Sequence, residues 1–334
     1  RKQALKSAMM QSAKLLNSSS FDEIEKLIKD ALVLGTDNNF GHDFHKDALR
    51  RFELAARDPI TTGWSQMDEI CKGGLGNSEL GVVVAPTGAG KSMVLVHLAT
   101  QALLLGKTVV YYTLELKDTT VGQRFDCCLT KTHLGEHKQK KEEILKKIED
   151  IDGTLIIKEY PTKSASVQTI KNHIEKLRKR GINPDIILLD YADLLRPVRS
   201  SSEKRHELEE TYEGLRGLAQ SYDIPCWTAS QTNRGGLNAE VITMEAISEA
   251  FNKCFVADFI FSLSRTTLDK QSNKGRVFIA KNRNGPDGIV FDAHVDWSDV
   301  TINILDRNES VEKMQTTTEA RKILKEKYEQ LQRK

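Results

Sequence analysis

A glycine-rich loop between an apolar strand and a helix limits the possible folds of this chain more than any other part of the sequence. The loop reads Ala-Pro-Thr-Gly-Ala-Gly-Lys-Ser over residues 85–92. It follows the apolar run at 80–84 and precedes a helical run that begins near Met93. Backbone N–H groups in such a strand–loop–helix unit surround a phosphate, and the helix N-terminus adds its positive end. The pattern therefore predicts a P-loop that binds the phosphates of a nucleotide.

The P-loop pattern assigns roles to its individual residues. We expect Lys91 to reach the β- and γ-phosphates and the Ser92 hydroxyl to ligate Mg²⁺. Ala85 stands where the pattern more often has glycine. The remaining residues of the phosphate cradle are Pro86, Thr87, Gly88, Ala89 and Gly90.

Short β-branched runs alternate with helical runs from about Thr61 onward. The strands are predicted at 80–85, 108–114, 154–158, 185–190, 225–230, 259–264, 275–280 and 289–295. The helices are predicted at 93–105, 138–148, 166–180 and 207–221. Apolar strands separated by helices indicate an α/β fold with a mostly parallel sheet that helices cover on both faces. The closely spaced last strands indicate an antiparallel edge.

Polar residues at three predicted strand ends are candidates for the chemistry. Asp190 ends an apolar strand about 100 residues after the P-loop, where an acid can hold Mg²⁺. Glu115 follows the strand after the P-loop helix, where it can take a proton from an attacking water. Gln231 follows a third strand and is a candidate sensor of the γ-phosphate.

Lys281 and Arg283 form a basic pair after the strand predicted at 275–280. Residues two apart on a strand project to the same side. We expect this pair to reach a phosphate bound by an adjacent subunit, in the manner of an arginine finger.

Charge and composition exclude several classes of protein. The 49 basic and 47 acidic residues give a net charge of +2, so net charge alone does not predict a polyanionic partner. No stretch approaches the roughly 18 apolar residues of a membrane span, so no membrane partner is expected. The five cysteines do not form a disulfide framework and indicate reduced thiols in a cytoplasmic compartment. The chain begins with Arg1 rather than Met, so we expect it to be part of a longer protein.

Three segments are predicted along the chain. Residues 1–58 form a helical linker or subunit-docking segment, with an amphipathic helix over 21–34 that begins at a Ser20–Glu23 capping box. Residues 59–306 form the α/β domain. Residues 307–334 form a charged helical tail.

The motifs together resemble the RecA-like motor domain of the DnaB family of hexameric replicative helicases, in the version carried by large tailed phages. The resemblance covers 61–305, and the helix over 21–34 matches the family's linker helix. It rests on the P-loop and on Thr-Thr-Gly-Trp at 61–64, Thr-Leu-Glu-Leu at 113–116, Leu-Asp-Tyr at 189–191, Ser-Gln at 230–231 and Lys-Asn-Arg-Asn-Gly-Pro at 281–286.

The resemblance implies a RecA-like P-loop ATPase core with a mostly parallel twisted sheet, antiparallel edge strands and an N-terminal linker helix. It implies a homo-hexameric ring that uses ATP and Mg²⁺ to move 5′ to 3′ on single-stranded DNA and unwind duplex at a replication fork. A primase and a helicase loader are the implied protein partners, and the cytoplasm of a bacterium or of a phage-infected host is the implied location.

Individual residues match the family's functional positions. Lys91, Ser92 and Asp190 match the phosphate and Mg²⁺ residues, and Glu115 matches the catalytic glutamate. Gln231 matches the sensor, Lys281 and Arg283 match the basic residues supplied by a neighbour, and Arg124 falls at a nucleotide-contacting arginine.

The family's DNA-contacting pore loops fall near 196–205 and 233–251. Candidate DNA-binding residues there are Arg196, Arg199, Lys204, Arg205, Arg234, Gly235, Gly236 and Glu249. Backbone amides and basic side chains in such loops can follow a phosphate backbone. The sequence departs from many relatives at Ile-Ser-Glu over 247–249, where an arginine often precedes the glutamate.

A second interpretation is a RecA-fold ATPase of another kind, such as a recombinase-like filament or a KaiC-like regulator. A third is a structural protein without nucleotide chemistry. The Thr-Leu-Glu-Leu run and the Gly-Pro turn after Arg283 favour the helicase.

Overall fold

The described residues of the computed structural model are 2–15, 23–25, 28, 41–49, 52, 57–197, 204–232, 239–243 and 255–307. The chain divides into two compact units, residues 1–56 and residues 57–334. In the first unit, helix α1 covers Lys2–Leu15. The predicted helix over 21–34 lies outside the described residues except at 23–25 and 28, and the predicted tail does so after Arg307. Among the described residues, no helix is both long and apolar enough to cross a membrane.

Nine strands form one sheet in the described part of the second unit. They are β1 Leu80–Ala85, β2 Thr108–Thr113, β3 Thr154–Glu159, β4 Ile186–Asp190, β5 Cys226–Gln231, β6 Phe259–Ser264, β7 Lys274–Asn282, β8 Val290–Asp296 and β9 Thr301–Arg307. Their spatial order is β3-β2-β4-β5-β1-β6-β7-β8-β9. The first six pair in parallel, and β7, β8 and β9 continue the sheet antiparallel. The predicted α/β fold with an antiparallel edge is confirmed.

Strand β9 is absent from the sequence-based prediction. Ile302 and Ile304 on this strand are buried, whereas Asn303 between them is exposed. An edge strand with only two buried apolar side chains carries a weaker signal than the fully apolar central strands.

Seven α-helices occur in the described part of the second unit, and they cover the sheet. They are α2 Ser65–Ile70, α3 Lys91–Leu104, α4 Asp118–Thr130, α5 Lys141–Glu149, α6 Val167–Arg178, α7 Lys204–Tyr222 and α8 Thr267–Gln271. The four predicted helices correspond to α3, α5, α6 and α7, with ends that differ by a few residues. Helix α4 was not predicted, because its sequence contains residues of low helix propensity such as Thr119, Thr120 and Gly122, although Val121 and Phe125 are buried.

The central strands are buried on both faces, and alternate residues of each strand enter different halves of the core. Val83 and Ala85 of β1 join the half that also contains Val94 of α3 and Phe125 of α4. Val82 joins the other half, which contains residues of α6 and α7 such as Ile170, Ile174, Tyr212 and Leu215. This two-sided burial explains why the strands read as continuous apolar runs rather than as alternating patterns.

Arg57 anchors the first residues of the α/β unit. Its guanidinium donates to both carboxylate oxygens of Glu79, at 2.7 and 2.6 Å, and to the carbonyls of Cys71 and Gly74. Burial would raise the pKa of Glu79, but hydrogen bonds from Arg57, the Gly76 N–H and Asn284 bring it below its ordinary value. The compact unit consequently begins at residue 57, two residues before the predicted boundary.

His97 lies in the core beneath the start of the domain. Its ring stacks on Trp64 with centroids 4.4 Å apart, and Nε2 lies 3.0 Å from the Thr62 carbonyl oxygen. The carbonyl accepts, so Nε2 carries the proton of a neutral imidazole. Burial lowers the pKa of His97 to about 3, with Lys131 adding to the shift and the bond to Thr62 opposing it.

We predict that acidification destabilises this domain through His97. The unfolded chain takes up a proton near pH 6.5, whereas folded His97 does so only near pH 3, so stability present above pH 6.5 is lost as pH falls between these values. The expected loss from pH 7 to pH 5 is about 2 kcal/mol. Urea unfolding at both pH values measures it. The matched control is His97→Gln, which does not titrate, and equal pH dependence in both proteins would contradict the prediction.

Candidate functional site: a phosphate-binding cleft at the sheet edge

A cleft of about 280 Å³ opens at the carboxyl edge of the parallel strands, and we call it the P-loop cleft. Its lining residues come from the P-loop, from the ends of β2, β4 and β5, from α4 and from the β8–β9 turn. They are Thr87, Gly88, Gly90, Lys91, Ser92, Met93, Glu115, Arg124, Tyr191, Gln231 and Trp297. Lys91, Glu115 and Gln231, which were predicted from separate motifs, thus lie around one cavity.

The backbone of the P-loop needs glycine at two positions. Gly88 and Gly90 have φ of +74° and +106°, values that side-chain-bearing residues rarely adopt. A Cβ at Gly90 would also overlap the Trp297 ring. Lys91 begins α3, and its Nζ donates to the Ala85 and Pro86 carbonyls at 3.2 and 3.3 Å. These bonds hold the ammonium group over the loop, where a bound phosphate would meet it.

Asp190 combines the properties of a cation ligand. The residue is fully buried, and Tyr111 donates to its Oδ2 at 3.1 Å, while Oδ1 has no hydrogen-bond partner among the described residues. Burial raises the pKa of Asp190 above its ordinary value, and the charge of Glu115 adds to this, whereas the nearby Ser92, the hydrogen bond from Tyr111 and the charge of Arg124 oppose it.

The donor set at Asp190 fits a divalent cation. A buried carboxylate oxygen without a partner is costly, and a second acid nearby increases the cost. Mg²⁺ prefers oxygen ligands and binds through few carboxylates together with substrate phosphates. Asp190 and the Ser92 hydroxyl supply such oxygens beside the phosphate loop, so the residues present can hold Mg²⁺ with a nucleotide.

Glu115 projects from a tight turn at the end of β2. Thr113 Oγ1 donates to the Leu116 carbonyl at 2.8 Å and accepts from the Leu116 N–H at 3.1 Å, which closes the turn. The Leu114 N–H donates to the Asp190 carbonyl at 2.9 Å. The turn therefore fixes Glu115 relative to the strand that carries Asp190.

Gln231 links the end of β5 to the P-loop. Its Nε2 donates to Thr87 Oγ1 at 2.6 Å, and its Oε1 accepts from the Tyr191 hydroxyl at 3.4 Å. The Gln231 N–H also donates to Asp193 at 3.3 Å. A change in the P-loop that moves Thr87 would therefore act directly on Gln231 and on the segment after β4.

Lys281 and Arg283 lie at the end of the sheet where β1 begins, opposite the end that carries the P-loop. Neither residue lines the P-loop cleft. Arg283 pairs with Asp258 at 3.2 Å, and Asp258 accepts from the N–H of Leu80, the first residue of β1. The P-loop follows the last residue of β1, so six strand residues separate the two positions by roughly 16 Å. Lys281 donates to the Phe255 carbonyl, and its pKa is lowered by burial and by the charge of Arg283. Neither side chain can reach the phosphate site of its own chain.

The candidate DNA-binding residues divide between described and undescribed parts of the chain. Arg196 is exposed after the end of β4, and Arg205 near the start of α7 is exposed and pairs with Glu209 at 3.1 Å. Lys204 begins α7. The remaining candidates, namely Arg199, Arg234, Gly235, Gly236 and Glu249, lie outside the described residues.

Three residues of the P-loop cleft were not predicted. Met93 and Tyr191 are next to predicted residues in sequence, so their positions could have been inferred. Trp297 lies more than 200 residues from the P-loop, and its turn reaches the cleft because β8 runs in the same direction as β1 and ends on the same side of the sheet. Its ring packs on Gly90, and the Arg265 guanidinium lies 5.6 Å from the ring centroid.

A larger cavity of about 430 Å³ lies between β3 and α6. It is lined by Lys158, Tyr160, Thr169, Asn172, His173 and Lys176. This lining contains no carboxylate for a cation and no glycine-rich loop for a triphosphate. The smaller P-loop cleft therefore carries the features of the predicted site.

The fold and the P-loop cleft define a RecA-like P-loop ATPase domain. The chain belongs to the family described as "DnaB-like helicase C terminal domain", whose family model matches residues 59–303.

Two curated relatives illustrate the similarity. The chain is 28% identical over 261 residues to the DnaB-like replicative helicase of Enterobacteria phage T4, covering 73% of this chain and 54% of that protein. It is 23% identical over 276 residues to the replicative DNA helicase DnaB of Buchnera aphidicola subsp. Acyrthosiphon pisum, covering 75% and 58%. The chain therefore spans just over half the length of each of these relatives.

Solved structures share the fold. A DnaB-like replicative helicase, described with its interactions with primase, superposes with a TM-score of 0.65 at 17% identity, covering 91% of this chain and 76% of that one. A solved ATPase domain gives a TM-score of 0.68 at 16% identity, covering 80% of this chain and all of that one. These similarities, at low identity, concern the fold alone.

We predict that two substitutions in the P-loop cleft separate binding from turnover. Lys91→Ala should weaken ATP binding roughly tenfold or more, because a charged hydrogen-bond donor to phosphate is lost. Glu115→Gln should bind ATP normally but turn over about 10²-fold more slowly, as expected when a general base is removed.

Titration with a fluorescent ATP analogue and a phosphate-release assay measure the two effects. The control is Lys138→Ala, which removes an exposed lysine that does not line the cleft. Full turnover in the Glu115→Gln variant would show that Glu115 does not act as the general base. Unchanged ATP affinity in the Lys91→Ala variant would show that Lys91 does not bind the phosphates.

Proposed function

We propose that this chain is the motor domain of an ATP-driven replicative DNA helicase that works as a homo-hexameric ring. On this proposal, ATP is hydrolysed at subunit interfaces, and the ring moves along single-stranded DNA, 5′ to 3′, to unwind duplex at a replication fork. The observation that carries the proposal is the P-loop cleft. In a domain of the DnaB-like family, the P-loop, Glu115 and Gln231 line this cleft at three strand ends. The buried Asp190, with one oxygen that has no hydrogen-bond partner among the described residues, ends β4, the strand between those of Glu115 and Gln231.

Each residue of the cleft has a role in this reaction. The P-loop N–H groups and Lys91 bind the β- and γ-phosphates, while Ser92 and Asp190 hold Mg²⁺. When bound, Mg²⁺ neutralises charge on the phosphate oxygens. The Glu115 carboxylate accepts a proton from the attacking water. Gln231, which is hydrogen-bonded to Thr87, responds to the γ-phosphate. When the γ-phosphate is released, the change at Gln231 is transmitted through Asp193 to the segment after β4.

Arg283 acts on the neighbouring subunit's nucleotide. Charge that develops on the transferred phosphoryl group needs a cation, and an arginine finger supplies it. The roughly 16 Å between the two ends of β1 keeps Arg283 away from the phosphate site of its own chain, which supports action across an interface. Lys281 lies two residues before Arg283, near the same end of β7, and acts with Arg283 on the neighbouring subunit's nucleotide.

Single-stranded DNA is the proposed track. Arg196 and Arg205 lie on either side of the undescribed segment 198–203, which follows β4 in the chain. Both side chains are exposed. Basic residues around such a loop can contact successive phosphates. The other proposed DNA-contacting residues belong to the second loop, outside the described residues.

A primase and a helicase loader are the proposed protein partners, in keeping with the similar solved helicase that is described with its interactions with primase. We propose that the complex works in the cytoplasm of a bacterium or of a phage-infected host, where a replication fork is available.

We predict that Arg283 and Lys91 complement each other across subunits. Arg283→Ala should bind ATP but hydrolyse it about 10³-fold or more slowly, and Lys91→Ala should not bind it well. Mixed rings contain interfaces that pair an intact P-loop with an intact Arg283. Partial recovery of ATPase activity on mixing the two inactive variants is therefore expected.

Native mass spectrometry of the same mixtures supplies the control. It should detect six-membered rings that contain both variants, whereas helical filaments would favour a recombinase-like ATPase. Mixed rings without recovered ATPase activity would contradict action in trans. The role of Arg283 would then be limited to its ion pair with Asp258.

We also predict that single-stranded DNA stimulates hydrolysis and that DNA affinity falls steeply with salt, because phosphate contacts release counterions. Arg196→Glu should weaken DNA binding and reduce the salt slope by about one ion per lost contact. Fluorescence anisotropy with labelled DNA between 50 and roughly 200 mM salt measures both. Arg180→Glu, an exposed change beyond the end of α6, is the matched control, and equal losses in both variants would argue against a specific contact at Arg196.

A further inference from the structure

The loop between β3 and α6, residues 160–165, contacts both the turn that carries Glu115 and the segment that leads to Arg196. We call it the bridging loop. It is not part of the P-loop cleft, and none of its residues was predicted as functional. Its position between the two proposed sites rests on four hydrogen bonds.

On the nucleotide side, the bridging loop holds the turn at Glu115. The Tyr160 N–H donates to the Thr113 carbonyl at 3.0 Å, which extends the pairing of β3 with β2. Thr162 Oγ1 donates to the Leu114 carbonyl at 2.7 Å. That carbonyl belongs to the peptide unit whose N–H is that of Glu115. Thr162 therefore restrains the peptide plane from which the Glu115 side chain departs.

The same stretch of backbone is restrained from its other side. The Leu114 N–H donates to the Asp190 carbonyl at 2.9 Å, so Leu114 is bonded both to β4 and to Thr162. Loss of the Thr162 bond would leave the Leu114 carbonyl without this partner and free the Glu115 peptide to rotate. A carboxylate that acts as a general base depends on its position within hydrogen-bond reach of the proton.

On the DNA side, the bridging loop pairs with the segment after β4. The Lys163 N–H donates to the Leu194 carbonyl at 3.0 Å, and the Arg196 N–H donates to the Ala165 carbonyl at 2.8 Å. These two bonds form a short ladder between 163–165 and 194–196. A DNA contact that shifts Arg196 therefore shifts Ala165 and Lys163, the residue next to Thr162.

The segment after β4 also contacts Gln231, through the Tyr191 hydroxyl and through Asp193. One segment is thus bonded directly to the proposed γ-phosphate sensor and, through the bridging loop, to the turn at the proposed general base. Contiguous hydrogen bonds of this kind are a physical route by which binding at one site can bias geometry at another.

We propose that Thr162 is a positioning residue for Glu115 and that the bridging loop makes the position of Glu115 depend on single-stranded DNA bound at Arg196. The proposal rests on the function proposed above. The hydrogen bonds of the bridging loop are then the route by which bound DNA stimulates ATP hydrolysis.

The test compares Thr162→Val, which keeps the side-chain shape but lacks the hydroxyl, with Thr162→Ser, which keeps the hydroxyl. We would measure kcat and KM for ATP in full-length protein, with and without saturating oligo-dT. The readout is the stimulation factor, the ratio of kcat with DNA to kcat without it. Thr162→Val should lower this factor roughly threefold to tenfold, the range that one hydrogen bond supplies, and Thr162→Ser should restore it. KM for ATP and DNA affinity should stay near the wild-type values, because Thr162 does not line the P-loop cleft and is not one of the proposed DNA contacts.

Two kinetic outcomes would overturn the proposal. One is a wild-type stimulation factor in Thr162→Val. The other is a proportional fall of kcat with and without DNA, which would make the bond purely structural. The failure of the proposed function looks different, because then the wild-type protein itself would show no stimulation by DNA.

Hydrogen exchange provides a second measurement that does not depend on turnover. Addition of oligo-dT should change exchange at amides of residues 113–118 in the wild-type and Thr162→Ser proteins, and much less in Thr162→Val. A change of equal size in all three proteins would show that DNA reaches the Glu115 turn by another route and would overturn the role of Thr162.

Discussion

Parallel strands buried on both faces bring their carboxyl ends to a single edge of the sheet, and the P-loop cleft depends on that constraint. Strands β2, β4, β5 and β1 lie side by side in the described sheet. Helices on both faces supply the crossovers that parallel strands require and leave the edge open. Glu115, Asp190, Gln231 and the P-loop each follow or end one of these strands. Residues more than 100 positions apart in sequence therefore line one cavity.

Burial at this edge determines the electrostatics of the cleft. Asp190 is enclosed by apolar strands, so its charged form lacks water and its pKa is raised, while Ser92, Tyr111 and Arg124 partly compensate. Tyr191 beside it has its pKa raised to about 12 by burial and by the charges of Glu115, Asp193 and Asp190. Acids held in such surroundings favour a cation in the cleft. The same surroundings strengthen the interaction of Lys91 with any phosphate that enters.

The opposite edge of the sheet has a different role. Asp258 there accepts from Leu80, Arg216 and Arg283, so it ties the start of β1 to a helix and to the end of β7. This ion pair network places Arg283 where it faces away from its own P-loop. If Arg283 acts in trans, each subunit contributes a P-loop cleft to one interface and an Arg283 to another. ATP hydrolysis would then require assembled subunits.

The P-loop, the alternation of strands and helices, and the polar residues at three strand ends were predictable from the amino-acid sequence alone. Each of these features depends on local spacing and on continuous apolar runs. Eight of the nine described strands were predicted in this way. The sequence did not reveal β9, helix α4, Trp297 in the cleft, or the bond from Thr162 to Leu114. These features depend on contacts between residues far apart in sequence, such as the packing of Trp297 on Gly90 and the hydrogen bond from the Trp64 indole to the Ile302 carbonyl. Tertiary structure also decided that Arg283 lies at the far edge of the sheet, because the reversal of direction from β6 to β7 returns the chain to the start of β1.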